Sequence, residues 1–156
     1  FTRLTAQRGL PLSIFQLFGL GYDGRRWLIP CRSTTGEVHD LRIWHPGGKT
    51  MSTKGCETQL FGLEQLKKQT KKIWLCEGEW DAMALASVLI GAGVKGEIAL
   101  GVPGAGTFKD EWRHYFQGRE VCICYDNDKA GQNGMARVVG KLSGMAHPNR
   151  RLQWHR

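Results

Sequence analysis

Two short stretches hold the four acidic residues that could do chemistry in this sequence. The first, Ile73 to Asp81, reads IWLCEGEWD; the second, Val121 to Gly131, reads VCICYDNDKAG. Each opens with a short apolar run, read as a buried strand, and then delivers carboxylates. Glu77-Gly78 ends the first run, and a helical segment follows from Glu79 to about Ile90 with Asp81 in its first turn. Asp126 and Asp128 come at the end of the second run. Side chains two apart on an extended chain point the same way, so Asp126 and Asp128 can face one point. If the two strands are neighbours in an open parallel sheet, Glu77, Asp81, Asp126 and Asp128 converge beyond the strands' carboxyl ends, where such sheets bind ligands. Converging carboxylates repel one another unless cations sit among them. Hard oxygen ligands that leave room for water and phosphate suit Mg²⁺ or Mn²⁺. The chemistry this implies is metal-assisted phosphoryl transfer. The plain alternative is four surface carboxylates at a turn and a helix start, with Asp81 favouring a helix N-terminus.

The elements that must position these residues can be read along the chain. With 156 residues and 41% apolar content, the chain suits one compact domain or two small lobes sharing a core. Leu10 to Leu20 carries Ile14, Leu17 and Phe18 at helical spacing. Arg25 to Arg32 and Glu37 to Trp44 read as two strands joined by a Ser-Thr-Thr-Gly turn, and His45-Pro46-Gly47-Gly48 is a further turn. Leu60 to Leu66 reads as a short helix, and the basic connector Lys67 to Lys72 as a lobe boundary. Glu97 to Val102 is another strand, followed by Pro103-Gly104-Ala105-Gly106-Thr107, which is either a phosphate-approaching loop or a plain turn. Thr107 with Asp110 matches a capping box. The stripe Phe108, Trp112, Tyr115 and Phe116 reads as core rather than as a base-stacking platform. A helix over Gln132 to Ser143 and a final strand over Arg151 to His155 complete the pattern. Strands alternating with helices through the second half imply a doubly wound parallel sheet. The first half reads as a mainly β lobe, so the cleft between the two would hold the site.

The formal charge is +8, and its distribution matters more than its size. Residues 1–72 hold 12 Lys+Arg against 5 Asp+Glu; residues 73–156 hold 10 against 9. A basic half beside an acidic metal site suits a polyanion held at a metal centre, although a merely solubilising surface would have the same charge. Five cysteines without regular spacing argue against a disulfide framework and for a reducing compartment, and Cys122-x-Cys124 has no second pair with which to hold zinc. The five histidines show no zinc-ligand spacing, and neither a P-loop nor a G-x-S-x-G elbow occurs. No apolar run is long enough to span a bilayer, so no membrane partner is expected. The start at Phe1 rather than Met reads as an excised piece.

The E-G-x-x-D stretch behind one strand and the D-x-D-x-x-G stretch behind another together resemble the Toprim domain of primases, topoisomerases and some nucleases. Glu77, Asp81, Asp126 and Asp128 match its acidic positions, and Gly78 and Gly131 its structural glycines. The first half resembles the N-terminal lobe of the primase RNA-polymerase domain, with Trp27-Leu28-Ile29-Pro30 and Leu60-Phe61-Gly62-Leu63 at two of its characteristic elements. The resemblance implies an α/β fold: a smaller basic lobe at residues 1–70 and a Toprim domain at residues 71–156. The latter would be cut short, since a further acidic residue often follows the final strand in primases. It implies a bacterial-type or phage-type DNA primase making RNA primers from ribonucleoside triphosphates on single-stranded DNA with Mg²⁺ or Mn²⁺. A replicative helicase would be fused or separate, and the location the cytoplasm of a bacterial cell, with the protein encoded by the host, a phage or a plasmid. In that family Arg42, Lys49 and Lys54 fall where basic residues contact nucleotide or nucleic acid. Two other members of the same class fit the acidic set: a metal-dependent Toprim nuclease, and a Toprim module that only binds nucleic acid.

Overall fold

A computed structural model describes residues 1–145 and 147–151. The chain opens with two short helices, α1 (Thr2–Arg8) and α2 (Leu12–Leu17). Strands β1 (Gly21–Tyr22), β2 (Trp27–Arg32), β3 (Val38–Trp44) and β4 (Met51–Ser52) then form an antiparallel meander in that spatial order. A 3₁₀ turn at Leu63–Gln65 leads to β5 (Lys72–Cys76), α3 (Glu79–Gly91) and β6 (Glu97–Gly101). A longer 3₁₀ segment, Asp110–Phe116, precedes β7 (Glu120–Cys124), α4 (Lys129–Leu142) and β8 (His147–Arg151). These last four strands pair in parallel in the order β6-β5-β7-β8.

Alternation along the central strands shows why the parallel sheet is covered on both faces. Ile73, Leu75, Val121, Ile123 and Leu100 pack with Val138 and Leu142 of α4 and with Phe108, Trp112 and Phe116. Cys76, Cys124 and Ala99 face the other way, onto Ala82, Met83 and Ala86 of α3. This second core continues into the meander through Phe15, Phe18, Ile29, Trp44 and Phe61. The doubly wound parallel sheet with a smaller mainly β lobe is therefore as expected, and the two parts share one apolar core.

Several local readings differ from the structure. The helix expected over Leu10 to Leu20 is α2 alone, and α1 precedes it unannounced because only Leu4 of its residues is buried, leaving no periodicity to read. The helix expected over Leu60 to Leu66 is the single 3₁₀ turn. The capping box does not form: Thr107 Oγ1 donates to the Gly104 carbonyl at 2.7 Å, and Lys109 precedes the 3₁₀ segment without a side-chain cap. The aromatic stripe is core, with Phe108, Trp112 and Phe116 buried. α4 starts three residues earlier than expected, at Lys129, because Asp128 caps it. β8 has the polar sequence HPNRR, with no alternation to mark it; the rest of the strand expected up to His155 lies outside the described residues.

Phe61 ties the two sheets together. Its backbone exchanges hydrogen bonds with Gly101 at the end of β6 (2.9 and 3.1 Å), and its ring lies 4.7 Å from that of Phe18, just past α2. The side chain is fully buried. Phe61→Ala is expected to lower stability by about 3–5 kcal/mol, measured by urea denaturation. A change within about 1 kcal/mol would show that the lobes do not depend on this side chain.

Candidate active site

β5 and β7 are adjacent and in register, with Cys76 opposite Cys124, so the two acidic stretches leave the sheet side by side. The parallel strands lie in the order β6-β5-β7-β8, and the windings leaving β5 and β7 turn to opposite faces of the sheet. That is the topological switch point at which open α/β sheets bind ligands. Glu77 follows β5 directly, and its Oε2 accepts a hydrogen bond from the Asp126 backbone N–H at 3.1 Å, joining the two loops. Asp81 lies in the first turn of α3, where the helix dipole favours negative charge. Asp128 accepts from the Gly131 N–H through Oδ1 at 2.7 Å as the cap of α4, which leaves Oδ2 for another partner. Asp81 and Asp126 line an open pocket of about 340 Å³ with Cys76, Cys124, Leu85 and Val88.

The electrostatics agree with convergence. The Glu77 carboxyl is pushed up from its ordinary pKa by loss of hydration, and further by Asp126, Asp128 and Asp81, against a lowering from its bond to the Asp126 N–H. Asp81 is pushed up by loss of hydration and by Asp126, with Arg8 opposing. All four carboxylates thus enter one cluster.

Two close approaches hold it. A Cβ on Gly131 would lie 2.1 Å from the Asp126 carbonyl oxygen and 3.0 Å from Glu77 Oε2; one on Gly134 would lie 2.3 Å from the Ala105 carbonyl oxygen. Both glycines let α4 sit against the loops that follow β7 and β6. Gly131 is thus a helical residue with no room for a side chain, rather than a turn residue. Gly78 caps α3 in an extended conformation open to any residue.

Among the described residues, no three His, Cys, Asp or Glu side chains close into a metal cage. The donor set still fits a divalent cation of the Mg²⁺ type, which keeps several waters and takes only one or two carboxylates plus phosphate oxygens. Asp81 and Asp126, exposed at the pocket rim, supply such oxygens.

The basic residues divide differently from expectation. Arg42 is 1% exposed, bonded to Asp40 Oδ2 at 3.1 Å, to the Glu79 carboxylate and to the Gln59 carbonyl. Its guanidinium is spent on joining β3 to the first turn of α3 and does not face a ligand, which corrects its expected nucleotide contact. The physical reason is its inward position on β3, where an unpaired charge could not be buried. Lys49 and Lys54 are exposed on either side of β4, in the loops that bracket it.

Two residues carry roles beyond the acidic and basic positions expected from the sequence. Glu79, the middle acid of EGEWD, is the buried partner of Arg42. Arg8 lies over both rings of the edge-to-face pair Trp44 (4.2 Å) and Trp80 (4.0 Å), beside Asp81. A third acid within the EGEWD stretch is a legible signal for the former; nothing in the TRLTAQR helix marks the latter.

Truncating one partner of the Arg42–Glu79 pair leaves a buried charge uncompensated. Arg42→Ala or Glu79→Ala is therefore expected to cost about 3–5 kcal/mol, read by chemical denaturation. The double replacement with apolar residues should recover much of it; single variants as stable as the parent would refute the pairing.

Glu77 and Asp81 bind protons more readily folded than unfolded. Between the ordinary carboxylate range and their raised values the folded chain holds more protons, so stability falls as pH rises through that window. The expected result is a metal-free melting temperature that declines across this range. The decline should flatten in Glu77→Gln/Asp81→Asn and be offset by Mg²⁺. A parent profile matching the double variant would remove the cluster's electrostatic basis.

Comparisons with known proteins agree with this geometry. The Toprim-like family matches residues 74–155, more than half of the chain. No curated protein sequence matches. Among solved structures, the fold is similar to the primase fragment of the bacteriophage T7 primase-helicase (20% identity, TM-score 0.76, 94% of this chain and 62% of that one). It is similar to the catalytic core of Escherichia coli primase (20%, 0.76, 99% and 64%) and to a DNA primase domain from Pseudomonas aeruginosa (19%, 0.73, 96% and 62%). The chain spans less than two thirds of the length of these structures, and at such identities the likeness is one of fold. With its acidic stretches at the switch point of a parallel sheet and the family matched over both of them, the chain belongs to the Toprim-like family.

Proposed function

We propose that the chain is the catalytic core of a DNA primase, a nucleotidyltransferase that joins ribonucleoside triphosphates into short primers on single-stranded DNA. The observation that carries this reading is that the likeness to primase folds runs through the meander as well as the Toprim half. A nuclease or binding module sharing only the acidic set would not need that lobe. One similar structure is a primase catalytic domain bound to single-stranded DNA; another holds primase domains bound to an RNA/DNA hybrid and dTTP. A third is the primase fragment of a bacteriophage primase-helicase, which supports a helicase as partner and a setting in bacterial cells.

Mg²⁺ or Mn²⁺ bound at the carboxylates would neutralise triphosphate charge and ease deprotonation of the attacking hydroxyl. Asp81, Asp126 and the outward oxygen of Asp128 would hold it. Glu77, raised in pKa and fixed by the Asp126 N–H, would take the proton of the attacking 3′-hydroxyl. Lys49 and Lys54 would hold template or triphosphate phosphates.

Incubating the chain with single-stranded DNA, labelled ribonucleotides and Mn²⁺ tests the reading. New oligomers are expected, and Asp126→Asn should abolish them while leaving the fold intact. Shortened DNA instead would make the protein a nuclease; neither product would leave only binding.

Anisotropy of a labelled single strand across salt concentrations separates holding from chemistry. Each of Lys49→Ala and Lys54→Ala should weaken binding and reduce the salt slope by about one for every phosphate no longer neutralised. Asp126→Asn should not reduce it. Lysine variants that bind like the parent at every salt concentration would make that surface merely solubilising.

A further inference from the structure

The floor of the acidic pocket is built from two cysteines. Cys76 ends β5 and Cys124 ends β7; they are register partners on adjacent parallel strands and face the same side of the sheet. Both line the pocket with Asp81 and Asp126, Cys124 at 6% exposure and Cys76 at 1%. Paired strands run about 4.8 Å apart, and disulfides span Cα separations of about 4.4–6.8 Å. The Cα spacing of the pair is thus one that a disulfide can span. Cys122, by contrast, lies opposite Trp74.

We infer that Cys76 and Cys124 form a reversible disulfide that responds to small-molecule disulfides and closes the acidic pocket from below. Cys124, the more exposed thiol, attacks the small disulfide; a mixed disulfide forms and one small thiol leaves with the proton. Cys76 then attacks the Cys124 sulfur, the Cys76–Cys124 bond forms, and the second small thiol leaves with the Cys76 proton. Two protein thiols are oxidised and one small disulfide is reduced to two thiols; a dithiol reductant reverses the exchange. Cys76 immediately precedes Glu77, and Cys124 stands two residues before Asp126. The new bond thus fixes the spacing of the two acidic loops and replaces the thiol lining of the pocket.

The effect on metal rests on the reading of the carboxylates given above; the cross-link itself does not. The test uses the full chain carrying Cys56→Ser, which removes the exposed thiol. The folded protein is treated with oxidised glutathione, alkylated and digested without reduction, and Mn²⁺ binding is followed by electron paramagnetic resonance. The expected result is a peptide pair joined at Cys76–Cys124 and lighter by two hydrogens, with Cys31 and Cys122 still alkylated. Mn²⁺ affinity should drop severalfold and return with dithiothreitol, and oxidation should change nothing in Cys124→Ala. A map with both thiols alkylated, or with only glutathione adducts, overturns the inference, as does a cross-linked chain that binds Mn²⁺ like the reduced one. A chain that is cross-linked but binds no Mn²⁺ even when reduced supports the thiol pair and counts against the carboxylate reading alone.

Discussion

Mutual repulsion among Glu77, Asp81, Asp126 and Asp128 is the constraint around which this fold is arranged. Left to solution, like charges separate; here the backbone holds them together. Parallel pairing of β5 and β7 brings both acidic loops to one edge. The Asp126 N–H fixes Glu77, the Gly131 N–H fixes Asp128, and the N-terminus of α3 sits behind Asp81. Each contact is a backbone dipole aimed at a carboxylate, which stabilises charge without adding a competing cation. The cations that the site would admit are thus left to come from outside.

The arginines of the first half follow the same logic. Arg8 opposes the upward shift of Asp81, yet its guanidinium rests on the edge-to-face indoles of Trp44 and Trp80 rather than among the residues that line the pocket. Arg42 is withdrawn altogether, neutralised by Asp40 and Glu79. The basic excess of the first half is therefore not all available to a polyanion: a buried share serves assembly, and the exposed share lies on loops such as those carrying Lys49 and Lys54.

The central strands and the acidic set are legible because their signals are local. Short apolar runs ending in carboxylates mark strand and site together, and IWLC and VCIC locate β5 and β7 to within a residue. Arg42 misleads because an arginine at a strand end looks the same whether it meets phosphate or a buried carboxylate; the partner, Glu79, lies far away in sequence. Gly134 leaves no mark because its need is a carbonyl on a different loop. α1 and β8 have too little apolar alternation to show a period. What the sequence hides is consistently long-range pairing, and what it reveals is local pattern.

Glu79 and Asp81 stand two apart on the first turn of α3, so they point to different sides of the helix: one into the join with the meander, the other into the pocket. A single turn of helix is at once hinge pin and jaw. Any rocking of the meander against the parallel sheet would drag Asp81 with it, and the continuous apolar core through Phe18, Phe61 and Met83 resists such rocking. The β3–β4 turn is held closed by a bond of its own, from the Trp44 indole N–H to the Gly48 carbonyl at 3.0 Å. The first turn of α3 thus serves both halves at once, so a change made on either side of it is felt on the other.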